Sequence, residues 1–114
     1  MSATEIMSEK VIALAYRRYL GGRDLFDLWF HWLRSEDRGA RRGEVVELVE
    51  KKMRERKLDT NELKGLLQAR LTSHPALGRA REEWRRYLPR DFQKEGILND
   101  VVVSCQRLPS ELFP

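Results

Sequence analysis

The sequence predicts an all-α protein, an irregular bundle of five or six mostly antiparallel helices. Three observations carry this. Apolar residues recur at helical spacing along nearly the whole chain, and no stretch alternates cleanly enough for a strand. Helix-start patterns with Glu three positions after a capping residue stand ahead of apolar runs at Ser2 and Asp59. The breaks between runs are short, which favours antiparallel neighbours. At 114 residues the chain reads as a single helical domain, one that buries roughly two-thirds of its unfolded surface without staples.

Ser2-Ala3-Thr4-Glu5 fits a capping box and starts a helix from about Ala3 to Tyr19, with Ile6, Met7, Val11, Leu14 and Ala15 inward. Gly21-Gly22 ends it, since glycine enters the left-handed region without steric cost. Asp24 then caps a second helix carrying Leu25, Leu28, Trp29, Trp32 and Leu33, flanked by Phe26 and Phe30. Apolar around much of its circumference, this helix is expected at the centre. Ser35–Gly43 reads as a polar loop, followed by a helix over about Glu44–Arg56 burying Val45, Val46, Val49 and Met53. Asp59-Thr60-Asn61-Glu62 opens a fourth helix with Leu63, Leu66, Leu67 and Leu71 inward. Pro75 sits in the first turn of a fifth, where its missing N–H costs nothing. That helix presents Leu77, Ala80, Trp84, Tyr87 and Leu88 to the core, and Pro89 stops it. The last spans about Asp91–Arg107 and buries Phe92, Ile97, Val101, Val102 and Cys105.

Charge narrows the function classes. The 22 basic and 18 acidic side chains leave a net charge of +4. They interleave in stretches such as EKKMRERK and RAREEWRR, the pattern of a solvated helix surface rather than of a concentrated nucleic-acid footprint. One cysteine, Cys105, excludes an intramolecular disulfide, and no residues show zinc-ligand spacing. The N-terminus has no apolar run of signal-peptide length, and no segment nears the ~18 apolar residues of a membrane span. The expectation is a cytoplasmic protein with no membrane association and no resident metal.

Two motifs carry chemistry. Ile6–Leu14 reads IMSEKVIAL and Arg23–Trp32 reads RDLFDLWFHW. Together, as EK-x-x-AL, a glycine turn and RD-x-x-D-L, they resemble the downstream motifs of the AbiEii/AbiGii nucleotidyltransferase toxin family. Trp84 and Leu88, spaced W-x-x-x-L, suit that family's helical C-terminal region. The resemblance implies toxin–antitoxin or phage-defence systems whose members transfer nucleotides, in characterised cases to RNA, from a magnesium–nucleoside triphosphate. Carried onto this sequence, Lys10 matches the lysine that meets the triphosphate. Asp24 and Asp27 match the catalytic acidic pair, one acting near the acceptor hydroxyl, and Arg23 would orient a phosphate or one of these carboxylates. Such chemistry needs cations on the departing phosphates and carboxylates to hold metal or receive a proton.

The family pattern also has an upstream glycine-rich turn and a D-x-D pair for magnesium. No such turn stands ahead of the EK helix, and no D-x-D pair occurs in the 114 residues. The expectation is a C-terminal helical module, inactive alone, whether fragment, split-gene product or remnant. Mg2+ and a nucleoside triphosphate enter only if it pairs with a catalytic lobe. A separate lobe or an antitoxin are the partners implied, with RNA and a homodimer left open.

Each of these residues has a plainer use. Asp24 suits an N-cap, and Asp27 gains from the positive end of a helix. Lys10 borders the apolar face and can snorkel. A tight hairpin about Gly21-Gly22 would set Asp27 opposite Tyr16, about 9 Å along the axis from Lys10. Tyr16 or Arg17 would then be its partner, and a shared Lys10–Asp27 site requires crossed helices or a bend. His31 belongs to the aromatic helix and His74 is expected at the surface. Arg70 and His74 are spaced too closely for the R-x4–6-H pattern of helical HEPN ribonucleases. Trp29, Trp32 and Trp84 read as core, and Cys105 as buried and inert. Two other function classes make distinct demands. A protein-interaction domain calls for exposed Phe26, Phe30 and Trp32. A helix-turn-helix binder calls for Arg79, Arg81, Arg85 and Arg86 on one outward face.

Overall fold

The Ser2 hydroxyl accepts a hydrogen bond from the Glu5 amide at 3.1 Å, and the cap it forms starts α1 (Ala3–Tyr16). The computed structural model describes residues 2–36 and 38–114. Asp37, inside the expected 35–43 loop, lies outside the described residues. After α1 come α2 (Gly22–Leu28), a π-helical turn (Trp29–Leu33), α3 (Arg38–Glu55), α4 (Thr60–Leu71) and α5 (His74–Tyr87). A 3-10 turn (Arg90–Phe92), α6 (Glu95–Gln106) and α7 (Leu108–Leu112) complete the chain. The fold is all-α, with no strand among the described residues. No helix is long and apolar enough to cross a membrane.

One apolar core joins these elements. Leu14 of α1, Leu25 and Leu28 of α2, Met53 of α3, Leu67 of α4, Trp84 of α5 and Leu108 of α7 are all fully enclosed. The second helix is central, as its composition predicts, with α1, α5, α6 and the π turn packed around it. Its three-ring cluster of Phe26, Phe30 and Phe92 has centroid separations of 5.4–5.6 Å.

Four local expectations are corrected, the first two where a long-range contact intervenes. α1 ends at Tyr16 rather than Tyr19, because Arg17 turns to extended angles (φ −65°, ψ 153°). Arg70 covers the freed end, donating to the Leu14 carbonyl at 3.1 Å. The expected 35–43 loop is helical from Arg38, where the Trp32 indole donates to the Arg38 carbonyl at 3.1 Å and the Arg38 guanidinium pairs with Glu111. The expected final helix breaks after Phe92, where the Gln93 side chain donates to the Leu88 carbonyl and closes a turn. Ile6 and Tyr87, expected inward, are exposed.

The glycine pair does something other than ending α1. Among the described residues no glycine has positive φ. Gly22 instead lets α2 touch α5: a Cβ there would lie 2.3 Å from the Ala80 carbonyl oxygen. Positive φ occurs at Lys57 (57°). There the amide of Leu58 reaches back to the Met53 carbonyl at 2.8 Å, a Schellman-type end to α3.

Candidate functional site

The connector over residues 17–21 is a bend, not a tight hairpin, and it is anchored by buried Leu20. It swings α2 so that Asp24 and Asp27, three apart and hence on one helix face, meet Lys10 on α1. The Lys10 ammonium donates to Asp24 Oδ1 at 2.9 Å and pairs with Asp27 Oδ2 at 3.1 Å. Arg17 closes the other side of Asp24, its guanidinium 2.8 Å from Oδ2. The bend thus joins Lys10 and Asp27, which a straight hairpin would hold apart, and Arg17 goes to Asp24 rather than Asp27.

Burial grades the two carboxylates. Asp24 is 1% exposed, with one cation on each oxygen, whereas Asp27 is 29% exposed and Lys10 24%. Burial draws the Lys10 ammonium down, but the hydrogen bonds to Asp24 and Asp27 outweigh it and hold its pKa above the usual lysine value. Lys10 stays charged at any physiological pH. Of its three N–H donors, two are engaged by the aspartates. It lines an open groove of about 470 Å³ along α1, whose rim also carries Arg17 and Arg56.

Asp24 is not an N-cap. Gly21 holds that position, and the capping acceptor comes from α5: Glu83 accepts from the Gly22 amide at 2.9 Å and from the Arg23 amide at 3.4 Å. Beside it the Trp84 indole donates to the Gly22 carbonyl at 2.5 Å. Two adjacent α5 residues thereby fix the start of the helix that carries both aspartates. Sequence reading treated Glu83 as a charge interleaved with arginines and assigned Trp84 to the core. Helical spacing marks Trp84 as inward, but no local signal marks Glu83 as a cap.

Arg23 stands apart. It is exposed, and among the described residues no ion pair ties its guanidinium to Asp24 or Asp27. It lines a separate cleft of about 210 Å³ with Asp27, Phe26, Trp84 and Tyr87. The remaining candidates have structural employment. His31 is exposed, with its ring edge-on to Phe30 at 5.0 Å, and His74 is exposed as expected. Phe26 and Trp32 are buried and Phe30 is half-buried, so the aromatic face an interaction domain calls for is turned inward. Arg79 and Arg86 share one side of α5, while Arg81 and Arg85 lie about 100–160° around it at ~100° per residue, which splits the face that a helix-turn-helix reading requires.

The carboxylate set does not fit a metal ion. Both Asp24 oxygens are held by cations, and no group of three or more His, Cys, Asp or Glu among the described residues could hold one. The α1 groove beside the cluster is lined by Lys10, Arg17 and Arg56 together with the Glu9 carboxylate.

The fold and cluster define a small helical module built around a lysine clamped by two carboxylates from the next helix. The family model for the nucleotidyl transferase AbiEii toxin of type IV toxin–antitoxin systems matches residues 1–100, and the chain belongs to that family. No curated protein and no solved structure gives a significant match.

Proposed function

We propose that this chain is the helical C-terminal module of a nucleotidyltransferase-like toxin, and that it transfers no nucleotide until a metal-binding lobe completes its site. The observation that carries the reading is the clamp of Lys10 by Asp24 and Asp27 at 2.9 and 3.1 Å, on the two motifs that resemble this family. In it Asp24 is a positioning residue, buried and neutralised by Arg17 and Lys10. Lys10 and Arg17 meet the anionic oxygens of a triphosphate along the α1 groove. Asp27, the more open carboxylate, is the group able to take the proton of an acceptor hydroxyl, and Arg23 meets an acceptor phosphate in the neighbouring cleft. A bound magnesium–nucleoside triphosphate would supply the nucleotidyl group. Its metal ligands come from the lobe, since the Asp24 carboxylate has no free oxygen for one. A cognate antitoxin in the same cytoplasm, and a role in phage defence, belong to this proposal.

The test is a reconstitution. The chain alone, with magnesium and labelled nucleoside triphosphates, is expected to give no transfer and no tight calorimetric binding. Adding a lobe that bears the glycine-rich turn and D-x-D pair should restore transfer, with Lys10→Met and Asp27→Asn abolishing it. Tight nucleotide binding or transfer by the chain alone would overturn the incomplete-site reading, and wild-type transfer by both variants would overturn the site.

A further inference from the structure

Arg70 stands in the last turn of α4, outside both sequence motifs, and its guanidinium spans the end of α1. One N–H donates to the Leu14 carbonyl at 3.1 Å and another to the Arg18 carbonyl at 3.5 Å. The first acceptor belongs to the final turn of α1 and the second to the connector. One planar fork therefore holds both sides of the bend.

The choice of acceptor matters. A helix continued to Tyr19, as the sequence predicts, would give the Leu14 carbonyl to the Arg18 amide four residues on. Instead the last helical bond of α1 runs from the Arg17 amide to the Ala13 carbonyl at 3.0 Å, and Arg70 takes the next carbonyl in line. Carbonyls freed at a helix end need a donor from elsewhere, and here another helix supplies it. Straightening the chain would cost Arg70 that acceptor.

The helix that carries Arg70 is anchored at both ends. Its first turn meets α1, where the Tyr16 hydroxyl donates to Glu62 Oε1 at 3.2 Å. Its last turn is pinned by α6, where the Gln106 side chain donates to the Leu71 carbonyl at 2.9 Å. Arg17 on Asp24 holds the same bend from the α2 side.

The bend decides the clamp. A straight hairpin would set Asp27 about 9 Å along the axis from Lys10, whereas the bent chain brings them to 3.1 Å. We infer that Arg70 is a positioning residue, which holds the Leu14 and Arg18 carbonyls and so sets the bend that carries Asp27 to Lys10. Its bearing on nucleotide transfer rests on the function proposed above, but its hold on the clamp does not.

The reactivity of Lys10 reports this geometry. An ammonium held by two carboxylates keeps its proton and acylates slowly, because only the free amine attacks. Pulse acetylation of the full chain with N-hydroxysuccinimide acetate, read lysine by lysine by peptide mass spectrometry, compares Lys10 with exposed Lys51 in the same molecule. Wild-type Lys10 is expected to react at least fivefold more slowly than Lys51. Arg70→Gln and Arg70→Met keep the stem and lose the fork, and each should speed Lys10 at least threefold against Lys51. Arg70→Lys, which keeps a cationic donor for the Leu14 carbonyl, should restore the slow reaction. Asp59→Ala removes the cap of the same helix and leaves Arg70 in place, so Lys10 should stay slow.

Circular dichroism identifies the folded variants, and either fork-less one suffices. A folded Arg70→Gln or Arg70→Met protein that protects Lys10 as the wild type does overturns the inference. Equal acceleration by Asp59→Ala also overturns it, since lost stability would then account for the effect. Wild-type Lys10 reacting as fast as Lys51 overturns the clamp together with its brace. These readings need no nucleotide, so loss of transfer activity and loss of the brace are told apart.

Discussion

Arg17 and Asp24 stand seven residues apart and meet at 2.8 Å across the bend that joins α1 to α2. Their pairing explains why α1 stops where it does: Arg17 leaves helical angles at the residue whose guanidinium closes over the buried carboxylate. Lys10 takes the other oxygen. Asp24 is thus satisfied without water, and the more open Asp27 is carried to the same lysine.

Removing one cation should reveal that dependence. Lys10→Met leaves Asp24 buried with Arg17 alone, and the expected cost is about 1–3 kcal/mol from an under-satisfied buried group. Asp24→Asn should cost less in the Lys10→Met background than in the wild type, since much of its partnership is already gone. Urea melts of the four proteins measure the coupling, and strict additivity would refute it.

Glycines should divide sharply. Gly22→Ala places a Cβ against the Ala80 carbonyl at 2.3 Å, backbone against backbone, and should destabilise by about 1–3 kcal/mol or more, as overpacking does. Gly65, inside α4, has nothing within 4 Å of its Cβ position. Gly65→Ala should therefore stabilise by roughly 0.5–1 kcal/mol. Thermal melts of the two variants should shift in opposite directions.

The cap from α5 makes a separate prediction. Glu83→Ala removes the acceptor from the Gly22 and Arg23 amides and should cost about 1 kcal/mol, the usual value of a cap. Protection of the α2 amides against hydrogen exchange should fall more than that of α4. Uniform loss across both helices would argue that Glu83 acts only on global stability.

Lys57 carries a left-handed backbone angle without being glycine. Because Cβ crowding there costs a side-chain-bearing residue about 1–2 kcal/mol, Lys57→Gly should raise stability despite the looser unfolded chain. A net gain of about 0.5–1 kcal/mol is expected in denaturant melts, and a loss would show that the turn is not strained.

Acid should act through α1 and α3. Glu9 bridges Lys52 at 2.8 Å and Arg56 at 2.7 Å. The Lys52 hydrogen bond, aided by the charges of Arg56 and Lys52, holds its pKa below the ordinary value of 4.5 against a smaller burial effect. A carboxylate depressed in the folded state contributes stability above its unfolded pKa and loses it as pH falls through the folded one. The wild type should lose stability below about pH 4.5, and Glu9→Gln should flatten that part of the profile.

What sequence reading recovers here is whatever local chemistry decides. Ser2 and Asp59 do cap helices, because a cap is a contact between residues two or three apart. Trp29, Trp32 and Trp84 do go inward, because helical spacing sorts them. Asp24 misleads for the same reason. It stands where a cap belongs, but the acceptor arrives from Glu83, 61 residues beyond the Gly22 amide it holds, and Asp24 turns to Lys10 and Arg17 instead. Gly21-Gly22 looks like a left-handed stop, yet its constraint comes from the Ala80 carbonyl on another helix. The motif residues of the site could be named from the sequence. Whether Lys10 reaches Asp27 depended on a bend that no local pattern encodes.

The grip of α5 on Gly22 has an evolutionary consequence. Its amide, its carbonyl and the space of its absent side chain are assigned to Glu83, Trp84 and Ala80 in turn. None of these positions is free to drift singly. Across relatives, Gly22, Ala80, Glu83 and Trp84 should be inherited or exchanged as a block, giving a covariation signal between two segments that are remote in the chain.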